Sequence, residues 1–177
     1  MMLGGAFSKP DKFKVFWKRC VDEVINLGIN SMGIVFIISV FMGMVITIQT
    51  ASNIDSAWIP SYTVGFTTRQ TIVLEFSPTI ISLILAGIVG SRISSELGSM
   101  RVSEQIDALE IMGVNSRNYL ILPKIIGFMF ILPFIIIYSM FLGIFGGWLI
   151  GTSTGIISSA DYIYGIQYWF EPFSITY

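Results

Sequence analysis

Residues 96–123 read ELGSMRVSEQIDALEIMGVNSRNYLILP, a polar and helix-forming stretch that lies between long apolar runs. The runs without a charged residue are 24–54, 76–91 and 125–160. A helix needs about 20 apolar residues to cross a bilayer, so each run holds a span, the second only if residues 70–75 are included. Because hydrocarbon excludes charge, the polar stretch must lie outside the membrane, between spans two and three.

The composition is that of an integral membrane protein. Hydrophobic residues make up 54% of the chain and charged residues 12%, against roughly 25% charged residues in soluble domains. The sequence has no histidine and only one cysteine, Cys20, which excludes a histidine acid/base site and an intrachain disulfide. We therefore expect an all-α membrane protein with no metal or other cofactor, no nucleic-acid partner and no enzymatic site of its own.

The basic residues indicate the orientation of the chain. If spans one and two separate the two main groups, nearly all basic residues fall on one side, with Arg69 opposite. We therefore expect a multi-pass membrane protein whose N-terminus and polar stretch are cytoplasmic. The two groups are Lys9, Lys12, Lys14, Lys18 and Arg19, and Arg92, Arg101, Arg117 and Lys124.

The N-terminal segment predicts an amphipathic helix at the membrane surface. Ser8 is a candidate N-cap with Asp11 three positions later. Apolar residues then recur at helical spacing while lysines cover the other faces, which is typical of a helix in the headgroup layer. The apolar positions are Phe13, Phe16, Trp17, Cys20 and Val21.

The positions of the other spans and loops are predicted from the apolar runs and from the residues that interrupt them. Span one covers about 29–50, an external loop covers 53–68 with Trp58 as an interfacial anchor, and span three begins near Leu120. Span two contains Pro78 and a small-residue cluster that favours tight packing. Aromatic residues between 162 and 177 predict the start of a fourth span. The small cluster is Ala86, Gly87, Gly90 and Ser91, and span one offers Gly33 and Gly43 for close helix approach.

Four glycines recur at intervals of four in and after span three: Gly143, Gly147, Gly151 and Gly155. On a helix they form a flat stripe against which another backbone can lie. The pattern predicts helix packing, within one subunit or between two. The residues around Thr152–Thr154 indicate that the helix ends before the last glycine.

Within the polar stretch, Ser103 is a candidate N-cap of a short helix that extends to about Met112 and ends at Gly113. Its apolar strip consists of Ile106 and Leu109, with Gln105 and Met112 flanking it. Its acidic face carries Glu104, Asp107 and Glu110 at intervals of three. The pattern fits a docking element for a soluble partner, and it also fits an ordinary solvated loop helix.

A resemblance favours the docking element. The stretch AGIVGSRISSELGSMRVSEQIDALEIMGVNSRNYLILP, residues 86–123, closely resembles the signature of MlaE/YrbE-type permeases, which are membrane subunits of ABC transporters that work with MCE proteins. Upstream, LEFSP at 74–78 is similar to the family's Arg-Glu-Leu-Gly-Pro but lacks its arginine and glycine. Ile88 stands where many relatives carry arginine, and Arg92 lies one turn further on. The stretch also has a weaker similarity to the EAA loop of ABC importers.

The resemblance implies a function and a set of partners. The chain would be a permease domain over 1–177, shorter than usual permeases, and would move phospholipid or a related lipid. Its partners would be a second copy, a cytoplasmic ABC ATPase, an extracytoplasmic MCE-domain lipid-binding protein and membrane lipid. ATP hydrolysis would belong to the ATPase, since the chain has no GxxxxGK[ST] loop. A truncated permease that acts only as a membrane scaffold or dimerisation subunit is the alternative.

The site residues follow from the same resemblance. Glu75 and Pro78 are candidates for the cavity or lipid path, although Glu75 is equally explained as a charge that reaches the external interface. Gly143, Gly147 and Gly151 are assigned to helix packing. The coupling helix and its ATPase contact would comprise Glu96, Gly98, Arg101, Glu104, Gln105, Asp107, Leu109, Glu110 and Gly113.

Overall fold

The computed structural model describes residues 13–54, 59–112 and 116–168. These ranges contain helices and no strand, which confirms the all-α prediction. Three helical stretches are long and apolar enough to cross a membrane: Phe16–Asn53, Tyr62–Val102 and Leu120–Ser153. They correspond to the three predicted spans.

Six α-helices and one π-helical segment make up the described chain. The segments α2, π and α3 follow one another without a break and together form the second spanning stretch. The elements are α1 (Phe13–Asn53), α2 (Tyr62–Thr71), the π-helical segment (Ile72–Ile81), α3 (Ser82–Val102), α4 (Gln105–Ile111), α5 (Ser116–Ser153) and α6 (Ser159–Gln167).

Two boundaries differ from those that the sequence predicted. The N-terminal amphipathic segment is not separated from span one, because α1 runs unbroken from Phe13 and has neither proline nor glycine before Gly28. The predicted external loop is also too long, since α2 begins at Tyr62 directly after Pro60 and Ser61. Pro60 therefore lies just before a helix, and residues 59 and 60 are not helical. The candidate cap at Ser8 and the anchor Trp58 lie outside the described residues.

The chain divides into two compact units, one of 1–32 with 84–135 and one of 33–83 with 136–177. In the first unit, α1 and α5 lie backbone to backbone. A Cβ built on Gly127 would lie 3.3 Å from the Cys20 carbonyl oxygen, and one built on Gly28 would lie 2.9 Å from Ile131 Cγ1. Cys20 is buried in this contact.

In the second unit, the glycines of α5 face other segments of the same chain. A Cβ on Gly43 would clash with the Gly143 carbonyl, and one on Gly146 would clash with the Val40 carbonyl. Gly147 lies against Thr47 and the Tyr162 hydroxyl, and Gly151 lies 3.7 Å from Thr47 Cγ2. Gly155 lies beyond the end of α5 at Ser153 and has a φ of +70°. The stripe therefore packs within the subunit at its first three positions.

Other glycines that the sequence suggested for close packing have open space around them. A Cβ on Gly33, Gly87 or Gly90 would meet nothing within 4 Å among the residues placed by the structure. Within the described chain, close packing is seen at Gly43 and not at these three glycines, and packing of the three against another subunit stays a prediction. Spacing alone does not distinguish them, because a glycine contributes to packing only where another backbone crosses it.

The second unit also contains a close pair of short helices, α2 and α6. They meet at Gly65 and Gly165, where a Cβ on Gly65 would lie 2.7 Å from the Tyr162 carbonyl oxygen. Arg69 is buried and donates hydrogen bonds to the carbonyl oxygens of Ile166 (2.7 Å) and Tyr168 (3.3 Å) at the end of α6. α6 is thus a short packed helix, and any fourth span would begin beyond the described residues.

Candidate coupling site

The connection from α3 to α4 is a tight two-residue turn. Glu104 has a left-handed backbone with a φ of 57°, which is uncommon for a residue other than glycine. The Ser103 hydroxyl donates to the Ser99 carbonyl oxygen at 2.7 Å and does not cap α4. The predicted cap at Ser103 is therefore wrong, because this serine is bonded back into α3 and the N-cap position falls on Glu104 without a side-chain cap.

α4 is a seven-residue helix with a largely accessible surface. None of its residues is fully buried, and Ile106 and Leu109 of the predicted apolar strip are half-buried. Large apolar side chains stand at both of its ends, with Val102 and Ile111 each 87% exposed and Met112 68% exposed. The predicted stop at Gly113 lies outside the described residues.

The predicted acidic face of α4 is partly occupied within the chain. Asp107 forms an ion pair with Arg101, the penultimate residue of α3. This pair ties α4 to the helix that precedes it, and both partners are well exposed. Glu110 is exposed, and Gln105 is the first residue of α4. At least one of the three carboxylates of the acidic face is therefore already paired within the chain.

Glu96 makes a contact that sequence reasoning missed. The ammonium group of Lys124 donates to Glu96 Oε2 at 2.7 Å and to Glu23 Oε1 at 2.6 Å. The Lys124 side chain is only 4% exposed, while Glu23 and Glu96 are 20% and 42% exposed. The resemblance places Glu96 in the ATPase contact, and the sequence indicates Lys124 only as one of the basic residues on the cytoplasmic side. No local pattern links residues that lie 28 and 101 positions apart.

A cleft of about 760 Å³, with both polar and apolar side chains in its lining, follows one face of α3 as far as Gln105. Ser91, Ser95 and Ser99 line it at intervals of one turn, together with Glu96. Arg92 also lines it and donates to the Asn26 carbonyl oxygen at 3.3 Å. Gly98 lies near this region with open space around its Cα. The last turns of α3 are thus more polar and less buried than a typical lipid-facing helix surface.

The two candidates for the lipid path belong to the second unit. Glu75 and Pro78 both lie in the π-helical segment Ile72–Ile81. Glu75 is exposed and Pro78 is half-buried. π-helical turns are rare and often occur at functional sites, and a proline within a helix removes a backbone donor. Around Pro78 the structure thus shows a local change of helix type.

The described residues offer little that could form a metal site. These described residues contain no group of three or more histidine, cysteine, aspartate or glutamate side chains that could hold a metal ion. The polar features are instead ion pairs between helices and a short helix beyond the span ends. Together with the three apolar spans they define a multi-pass, all-α membrane protein with an accessible polar element between spans two and three.

Comparison with known proteins identifies the family. The profile of the family described as Permease MlaE matches residues 20–177, so the chain belongs to the MlaE permease family. This agrees with the resemblance carried by residues 86–123.

Individual relatives agree with the family. The chain is 31% identical over 150 residues to the probable ABC transporter permease protein slr1045 of Synechocystis sp., covering 85% of this chain and 57% of that protein. It is 32% identical over 156 residues to the chloroplastic protein TRIGALACTOSYLDIACYLGLYCEROL 1 of Arabidopsis thaliana, covering 88% of this chain and 42% of that protein. A probable ABC transporter permease protein of Rickettsia prowazekii, RP096, is 25% identical over 170 residues, or 96% of this chain and 65% of that protein. The chain thus spans about half the length of the curated relatives it matches.

Proposed function

We propose that this chain is the membrane-spanning permease part of an ABC transporter that moves phospholipid or a related lipid across or out of the cytoplasmic membrane. A separate ATPase would supply the energy and would contact α4. The observation that carries this proposal is α4 itself. It is a short helix beyond the ends of two spans, without a fully buried residue, and it is flanked by the exposed apolar side chains Val102, Ile111 and Met112.

The exposed apolar residues support a protein contact more than a solvated loop. An apolar side chain gains free energy of about 25 cal/mol for each Å² that it removes from water, whereas an exposed ion pair contributes about 0.2–1 kcal/mol. Val102 and Ile111 would thus contribute more to docking than Glu104 or Asp107 alone. The positive-inside pattern supports placing α4 on the cytoplasmic side, where an ATPase is accessible.

The family and its relatives support the lipid cargo and the other partners. Two of the relatives are named as probable ABC transporter permeases, and the Arabidopsis relative carries the name of a galactolipid. The MCE-domain partner, the homodimer and the inner-membrane location follow from the resemblance to MlaE/YrbE-type permeases. The carboxylate of Glu75 on the surface of a spanning stretch would be consistent with a wet lipid path, as well as with the external interface.

The scaffold alternative loses one of its supports. It relied on the glycine stripe as a surface between subunits, and Gly143, Gly147 and Gly151 instead face segments of the same chain. A scaffold also predicts that nucleotide has no effect on the complex. We therefore retain the permease as the proposed function.

The test is co-purification of the ATPase with the full-length protein. Leu109→Asp should abolish co-purification, because it places a charge in the apolar strip of α4 that Ile106 and Leu109 form. Ala108→Asp is the matched control, since it places the same charge at an exposed position of the same helix and should retain the complex. ATP-dependent lipid transfer in proteoliposomes should follow the same order.

Two results would contradict the proposal. An intact complex with Leu109→Asp would exclude α4 as the main contact. Lipid transfer that does not depend on ATP would exclude the ABC mechanism. Thermal unfolding of both variants provides the folding control, and equal melting temperatures are required before the comparison is interpreted.

A further inference from the structure

Lys124 links three helices of the first unit. Its ammonium group lies 2.6 Å from a carboxylate oxygen of Glu23 on α1 and 2.7 Å from one of Glu96 on α3, while Lys124 itself belongs to α5. The lysine side chain is 4% exposed. A buried ammonium group requires such partners, because desolvation without them is expensive.

The two ion pairs differ in how much they add to the contacts between helices. α1 and α5 already contact each other without charges, since Gly127 lies against Cys20 and Glu23, and Gly28 lies against Ile131. The pair Lys124–Glu23 therefore spans two helices that steric packing holds together anyway.

α3 lacks such packing in its last turns. Its fully buried residues are Leu85 and Val89, and nothing lies within 4 Å of a Cβ built on Gly90 or Gly98. Beyond Val89, Ile93, Leu97 and Met100 are only half-buried. The hydrogen bonds from this part of α3 to α1 and α5 join Arg92 to the Asn26 carbonyl and Glu96 to Lys124. The pair Lys124–Glu96 is thus a charged tie from a buried lysine of α5 to the last turns of α3, where no side chain is fully buried.

The end of α3 also sets the position of α4. Only Ser103 and Glu104 separate the two helices, and the pair Arg101–Asp107 holds them together across that turn. A constraint on Glu96 is therefore transmitted to α4 through about two turns of helix and one tight turn.

We propose that Lys124 is a positioning residue that, by pairing with Glu96, fixes the end of α3 and with it the partner-contacting helix α4. Glu23 serves as the permanent partner of the lysine on α1. Glu96 is the releasable partner, because its side chain is 42% exposed and water replaces the lysine there more readily than at Glu23, which is 20% exposed. This inference rests on the proposed function, in which α4 receives movement from an ATPase.

The experiment compares Glu96→Ala with Glu23→Ala in the full-length protein. Both variants remove one carboxylate from the same lysine and leave a good helix former, so they are matched in charge and chemistry. The first readout is hydrogen–deuterium exchange of residues 93–111 in the permease alone. The second is the amount of phospholipid transferred per ATP hydrolysed in proteoliposomes that contain the ATPase.

Glu96→Ala should increase exchange in 93–111 and lower the lipid transferred per ATP by about fivefold or more, the lower end of typical coupling effects. ATPase co-purification should persist. Glu23→Ala should leave both readouts within about twofold of the unmodified protein, because it removes no contact with α3. A change of that size is smaller than the typical coupling effect of about fivefold or more. Lys124→Met should behave like Glu96→Ala, and Lys124→Arg should retain most of the coupling because it preserves the charge.

Three outcomes would overturn the proposal. Equal effects of Glu96→Ala and Glu23→Ala would show that the ion cluster has only a general structural role. Loss of ATPase binding by Glu96→Ala without a change in exchange would place Glu96 in the partner interface itself. Unchanged exchange in 93–111 would also refute the tie, even if the unmodified protein moved no lipid and the proposed function had failed.

Discussion

The crossing of α1 and α5 in the second unit gives the sharpest prediction about stability. Gly43 lies directly against the Gly143 backbone, and a Cβ at Gly43 would lie 2.7 Å from the Gly143 carbonyl carbon and 2.9 Å from its Cα. Gly33 lies on the same helix, and a Cβ there would meet nothing within 4 Å. Gly43→Ala and Gly33→Ala are therefore chemically identical changes in different surroundings.

The magnitude follows from the distances. Ordinary van der Waals contact begins at 3.4 Å, so the Gly143 carbonyl carbon would have to retreat by at least the difference between 3.4 and 2.7 Å, or 0.7 Å, and the carbonyl oxygen lies nearer still. Overpacking costs about 1–3 kcal/mol. The obstacle is backbone and has no rotamer to change, so we expect a cost of about 3 kcal/mol. The better helix propensity of alanine offsets about 1 kcal/mol of that cost.

Gly43→Ala should thus destabilise the protein by about 2 kcal/mol, whereas Gly33→Ala should be neutral or stabilise it by up to about 1 kcal/mol. Gly143→Ala should have an intermediate effect, because its Cβ would meet a side-chain methyl group of Ile72 at 3.1 Å rather than backbone. The assay is unfolding of the full-length protein in mixed detergent micelles with increasing SDS, followed by far-UV circular dichroism. Equal unfolding free energies for Gly43→Ala and Gly33→Ala would refute this account of the crossing.

Two further predictions concern the ends of short helices. Arg69→Met should leave the carbonyl oxygens of Ile166 and Tyr168 without their donor, at a cost of about 1–3 kcal/mol, and faster hydrogen exchange in 159–168 would measure it. Unchanged exchange there would show that the hydrogen bonds from Arg69 do not stabilise the end of α6. Glu104→Gly should stabilise the turn before α4 by about 1 kcal/mol and Glu104→Val should weaken it, because a left-handed backbone costs other residues about 1–2 kcal/mol. Proteolysis at 102–106 should slow and accelerate respectively, and the reverse order would contradict the backbone assignment.

Much of the fold was predictable because hydrophobic length is a local property. The three spans and the short helix between the second and third follow from runs of apolar residues and one polar interruption. The start of α4 was not predicted correctly. Ser103 has the residue type of an N-cap, but its hydroxyl has a competing acceptor in the Ser99 carbonyl one turn earlier. The sequence does not show whether the hydroxyl bonds to the Ser99 carbonyl or caps α4.

The coupling site illustrates a different limit of sequence reasoning. Leu109 and its neighbours were predictable because the faces of a single helix follow from a period of 3.6 residues. Glu96 was assigned to a partner through the family resemblance, which includes the residues before that helix. Its actual contact, Lys124, lies on another spanning helix, and the carboxylate of Glu23 that shares the lysine lies on a third. Periodicity therefore predicts which residues share a face of one helix, whereas an ion pair across helices depends on how the spans pack. A charged residue next to a predicted docking helix should accordingly be tested first for a partner within its own chain.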